Sequence, residues 1–72
     1  MSDLRQEMMV VLNGNPSVVL VDNLAALVAD NGYHGRRVAT ALNGVFVPVD
    51  QRATTTLRPG DRIEILAARQ GG

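Results

Sequence analysis

Two Asn-Gly dipeptides, Asn13-Gly14 and Asn43-Gly44, each interrupt a run of apolar and β-branched residues, and this repetition limits the folds open to the chain. An Asn-Gly pair tolerates positive φ at both central positions, which is what a two-residue hairpin turn needs if its twist is to match that of the flanking strands. Met8 to Leu12 therefore reads as a strand turning at Asn13-Gly14 into a second strand over Ser17 to Val21, with Pro16 near the start of that strand. Arg37 to Leu42 turns at Asn43-Gly44 into Val45-Phe46-Val47, and Pro48 closes that strand. Arg62 to Leu66 is a last strand, entered through the turn Arg58-Pro59-Gly60-Asp61, with Ile63 and Ile65 on one face and Arg62 and Glu64 on the other. Between the hairpins, Leu24, Leu27 and Val28 recur at helical spacing behind Asp22 or Asn23 as N-cap, with Gly32 as terminator. A helix of roughly nine residues does not persist alone in water, so it must pack on the sheet. The segment from Asp50 to Leu57 has no clear period, and Thr54-Thr55-Thr56 suits a turn or β-like stretch.

The order hairpin, helix, hairpin, loop, strand predicts an α+β fold, a mixed four- to five-stranded sheet on one main helix. Leu24, Leu27 and Val28 are expected to face Val38, Leu42, Ile63 and Ile65. Residues 1–7 read as a loose N-terminal extension, 8–66 as the folded domain and 67–72 as a loose arm ending in Gly71-Gly72. The chain has 72 residues, and a domain of this size buries only about 60% of its unfolded surface, which leaves little room for an enclosed active site.

Composition removes several function classes. Seven basic residues balance seven acidic ones, so the chain lacks the positive field that nonspecific nucleic-acid or anionic-membrane binding requires. Cysteine is absent, which excludes disulfides, zinc-thiolate sites and a thiol nucleophile. Lysine is absent too, so neither a Walker phosphate loop nor Schiff-base chemistry can be built here. No metal site is expected, because His34 is the only histidine and has no cysteine to join it. Ser17, His34 and Asp30 could formally compose a hydrolytic triad, but no strand-turn-helix nucleophile elbow accompanies them. Arg36-Arg37 reads as a solvated loop and strand start. With no long apolar run and a polar start, a soluble, cytoplasmic, monomeric protein is the expectation.

The end of the chain carries the chemistry. Two glycines give the thinnest backbone available, and the six residues from Ala67 to Gly72 reach roughly 20 Å when extended, far enough to enter a partner's buried site. Fixing six residues costs on the order of 6 to 12 kcal/mol, so the arm is expected to order only inside partners.

In their order and spacing, Val11-Leu12-Asn13-Gly14, Ala41-Leu42-Asn43-Gly44 leading into Val47-Pro48, Gly60 to Leu66, and Gln70-Gly71-Gly72 resemble the ubiquitin-like β-grasp sulfur carriers, and most closely the thiamine-biosynthesis ThiS family. The match covers nearly all of the chain from Met8. Val49 departs from the pattern, standing where the family often carries a basic residue after Pro48. The resemblance implies a carrier rather than an enzyme. Its Gly72 carboxylate would be adenylated by an ATP-using, ubiquitin-activating-like adenylyltransferase, and a sulfur donor protein would convert the product to a thiocarboxylate. A thiazole synthase would take the sulfur. Gly71 and Gln70 would thread the partner's channel. Phe46, Val47, Leu57 and Leu66 would supply apolar docking surface on the sheet, with Arg62 and Arg69 as complementary charges; core packing is the competing role for Phe46 and Val47. Related readings are a molybdopterin-synthase small subunit, whose tail more often carries prolines, a ubiquitin-like protein modifier, and a noncovalent β-grasp module.

Overall fold

The computed structural model describes residues 7–33 and 37–67. Its elements are β1 (Met8–Leu12), β2 (Asn15–Val19), α1 (Leu24–Asp30), β3 (Val38–Leu42), β4 (Val45–Val47), a 3₁₀ helix (Val49–Thr54) and β5 (Arg62–Ala67). The five strands form one sheet in the order β2-β1-β5-β3-β4. β1 and β5 are parallel, while the two hairpins and the β3–β5 pair are antiparallel. The last strand in sequence thus lies at the centre, flanked by a hairpin on each side. This is the mixed sheet over one helix that the β-grasp expectation requires.

Both turns form as the sequence predicts, with φ of 49° and 85° at Asn13 and Gly14 and of 51° and 84° at Asn43 and Gly44. Each asparagine then does something the turn itself does not require. Asn13 Oδ1 accepts from the Ile65 N–H at 2.8 Å and Asn13 Nδ2 donates to the Ile65 carbonyl at 3.3 Å. Because β1 stops at Leu12, opposite Ile63, this side chain continues the ladder along β5 where the backbone of β1 has turned away. Asn43 does the same at the other end of β5. Its Oδ1 accepts from the Arg62 N–H at 2.9 Å and its backbone N–H donates to the Arg62 carbonyl at 2.7 Å.

Asn13→Gly keeps the positive φ accessible and removes only the side chain. It leaves two partly buried backbone groups of Ile65 without partners, so an equilibrium denaturant curve should show a loss of about 1 to 3 kcal/mol. The Asn43 bonds are exposed, water can replace them, and Asn43→Gly should cost less than about 1 kcal/mol.

Leu24, Leu27 and Val28 of α1 bury their side chains against Val10, Val19, Val47, Leu57, Ile63 and Ile65, with Val38 and Leu42 packed at the margin. Asn23, rather than Asp22, is the N-cap, accepting from the Ala26 N–H at 2.8 Å. The helix is shorter than expected, seven residues, and the segment after the 3₁₀ helix pins its start. Leu24 N–H donates to the Thr55 carbonyl and Leu57 N–H to the Asp22 carbonyl, each at 3.0 Å.

Several boundaries move. β2 runs Asn15–Val19 rather than Ser17 to Val21, beginning early because the two-residue turn leaves Asn15 and Pro16 already paired with Leu12 and Val11, and β3 begins at Val38 rather than Arg37. Proline is tolerated there because β2 is an edge strand. Ala67 belongs to β5, opposite Val38, and not to the arm that follows. The segment without clear period begins with a 3₁₀ helix capped by Pro48, from which only Arg52 is buried.

Candidate functional site

Alternation along β5 turns Ile63 and Ile65 into the core and Arg62, Glu64 and Leu66 onto the opposite face of the sheet. No helix of the described residues covers that face, and the register shows what shares it. Leu66 lies opposite Ala39 and Glu64 opposite Ala41, while Ala41 in turn lies opposite Phe46. Across the other side, Arg62 lies opposite Val11, and Met9 pairs with Val18. The two alanines leave a depression of about 450 Å³ between Phe46 and Leu66, bounded by Glu64 and Asn13. Phe46 is 64% exposed and Leu66 72%, which places both on an open apolar surface with Glu64 beside them and Arg62 further along the same face of β5.

Two of the sequence-derived docking residues are not on that surface. Val47 is 7% exposed and Leu57 3%. Val47 follows Phe46 with opposite parity and points under the sheet, opposite Thr40, and Leu57 plugs the core beside α1. Both are corrected to core residues. Arg69, Gln70, Gly71 and Gly72, with His34 and Arg36, lie outside the described residues. Ala39 and Ala41, which floor the depression, carry no chemistry that sequence reasoning could single out; the only available signal was their period-two spacing on the strand Val38–Leu42.

The turn leading into β5 is fixed by its own acidic residue. Asp61 accepts from the Arg58 N–H at 2.8 Å through Oδ2 and from Asn43 Nδ2 at 3.0 Å through Oδ1. Among the described residues no three of His, Cys, Asp and Glu gather as metal ligands would, and no helix is long and apolar enough to cross a membrane. The arrangement is an exposed, partly apolar face on a sheet whose central strand leads, through Ala67, to residues 68–72.

Residues 10–72 match the ThiS family. The crystal structure of the thiamine biosynthesis protein ThiS from Geobacter metallireducens superposes with a TM-score of 0.75 at 30% identity, covering 90% of this chain and 100% of that one. No curated protein sequence gives a significant match. With the family match spanning both hairpins, the helix and the Gly71-Gly72 end, the chain belongs to the ThiS family, the ThiS-type sulfur carriers of β-grasp fold.

Proposed function

We propose that this chain is a co-substrate that carries sulfur as a thiocarboxylate on Gly72, for thiazole formation in thiamine biosynthesis. The observation that carries the reading is the family match, which covers residues 10–72. A glycyl carboxylate has a pKa of about 3.3 to 3.7, so it is an anion at neutral pH and a poor electrophile that must be activated. A partner adenylyltransferase of the ubiquitin-activating type binds ATP, and the Gly72 carboxylate attacks the α-phosphorus, releasing pyrophosphate and leaving an acyl-adenylate. The outer sulfur of a persulfide on a donor protein then attacks the acyl carbon, forming a C–S bond as the C–O bond to AMP breaks. A thiol reduces the resulting S–S bond to the donor, forming a disulfide with the donor sulfur and leaving Gly72 as a thiocarboxylate. The thiocarboxylate supplies that sulfur to a thiazole synthase, and an oxygen from the acceptor or from water takes its place and returns the carboxylate.

Division of labour between face and end follows from the chain's resources. Without lysine or cysteine, the domain contributes recognition, and the exposed apolar surface at Phe46 and Leu66, with Arg62 further along the same face of β5, is the source of binding energy. The partner contributes ATP, and the protein works as a cytoplasmic monomer between encounters.

Exchange of labelled pyrophosphate into ATP by the adenylyltransferase tests this reading. Exchange should depend on the carrier, and Phe46→Ser with Leu66→Ser should raise its apparent KM by about tenfold or more, since each removes an apolar contact worth about 1 kcal/mol or more at an interface. Absence of carrier-dependent exchange would refute adenylation of this chain.

A further inference from the structure

Glu64, Ala41 and Phe46 lie on one rung across β5, β3 and β4. All three line the depression on the open face, so the alanine leaves a slot with a carboxylate on one side and an aromatic ring on the other. Neighbouring strands are about 4.8 Å apart, which separates the Glu64 and Phe46 backbones by roughly 10 Å and leaves room for a flat group between their side chains. On the next rung Leu66 lies opposite Ala39. β4 ends at Val47, opposite Thr40 and one residue short of Ala39, so the slot stays open at that end. At the other end Arg62 stands two residues before Glu64 on the same face, and its charge repels a cation approaching from there.

A guanidinium suits every wall of this slot. Its fork meets a carboxylate through two parallel hydrogen bonds, its plane stacks on an aromatic face, and its methylene stem lies along apolar surface, here Ala39 and Leu66. An ammonium brings a point charge with neither plane nor fork. A purely apolar partner surface fits worse still, because it would shut Glu64 away from water with no counter-charge.

We propose that this slot receives an arginine side chain of the activating adenylyltransferase, and that Glu64 is the residue that selects it. The inference rests on the carrier reading given above, which sets that partner on the same face, and adds the chemistry by which the partner is recognised. Phe46 and Leu66 supply contact area. Glu64 supplies discrimination, since a surface lacking the arginine would bury its carboxylate unpaired.

Two measurements on the full chain test it. In the first, the protein is titrated by NMR with n-butylguanidinium, n-butylammonium and the uncharged isostere n-butylurea. Shifts caused by the guanidinium should centre on Ala39, Ala41, Phe46 and Glu64; the ammonium should bind more weakly and the urea not at all. Glu64→Gln should weaken guanidinium binding by about fivefold. In the second, pyrophosphate exchange by the adenylyltransferase, Glu64→Gln and Glu64→Leu should each raise the apparent KM for the carrier by about thirtyfold or more while kcat stays within about twofold. The leucine variant is the sharper one, because it extends the apolar face and would lower KM if docking were hydrophobic alone. Glu64 is exposed, so neither replacement disturbs the core, and Asp50→Asn, which removes an exposed carboxylate from the 3₁₀ helix, should leave both readouts unchanged. Urea binding as well as guanidinium, shifts centred away from the slot, or a leucine variant docking as well as the unaltered chain would overturn the proposal. If the unaltered chain is not adenylated, the carrier reading and the choice of partner fall together, while the titration still decides whether the slot takes a guanidinium.

Discussion

Removing Gly72 is expected to abolish sulfur loading while leaving the folded domain untouched. Deleting one residue draws the terminal carboxylate back by about 3.3 to 3.6 Å, and a misplacement of about 1 Å already costs on the order of a hundredfold, so loading by the partner should fall by well over that factor. The core runs from Val10 to Ile65, and the deletion removes no contact within it; the thermal midpoint should shift by less than about 1 °C, since only changes of about 1 kcal/mol move it by several degrees in a domain this small. Gly71→Val should behave alike, because a β-branched side chain widens the chain and restricts its backbone choices next to the terminal carboxylate. Loading of the truncated chain at an ordinary rate, measured by mass spectrometry alongside a melting curve, would mean that the terminus is not the sulfur site.

The second large effect lies in the core. Leu27 is fully buried, in contact with the cluster that joins α1 to the central strand, and Leu27→Ala should cost about 2 to 5 kcal/mol through lost transfer energy and the cavity left behind. At roughly 0.05 to 0.15 kcal/mol per residue the whole domain is worth only about 4 to 11 kcal/mol, so a large share of its stability depends on this one side chain. The midpoint should fall by some 10 °C or more. A loss under about half a kcal/mol by denaturant titration would mean that α1 does not pack on β5 as described.

What the sequence revealed and what it concealed separate along physical lines. The Asn-Gly turns, the alternation along Arg62–Leu66 and the stripe of Leu24, Leu27 and Val28 are local signals, each set by backbone sterics or by one burial face, and all three appear in the fold. Val45-Phe46-Val47 is apolar throughout, so nothing local distinguishes its exposed middle residue from the buried Val47; only pairing with Thr40 and Ala41 decides the parity. Leu57 sits outside any periodic element and is buried because it closes the space beside α1. The grip of Asn13 on Ile65 spans 52 positions, and that of Arg52 on Thr40 spans 12; neither leaves a trace in local pattern. A solitary arginine in a stretch without period reads as solvated, and it is Thr40 and the Val38 carbonyl, as acceptors, that hold it inside.

The docking face divides in the same way. Leu66 and Arg62, expected on it, lie on the exposed face where the alternation along β5 puts them, whereas Val47 and Leu57, expected there as apolar residues, lie in the core. The alanines beneath Phe46 matter for the absence of bulk, a property that emerges only once β3 is laid between β4 and β5.

The central claim, that Gly72 is the sulfur-bearing group, is tested most directly by intact-mass measurement of this chain after incubation with its adenylyltransferase, ATP and a sulfide source. The expected result is a gain equal to the exchange of one oxygen for one sulfur, dependent on ATP and located by fragmentation in the terminal glycine. An unchanged mass, or a gain placed anywhere but Gly72, would contradict it.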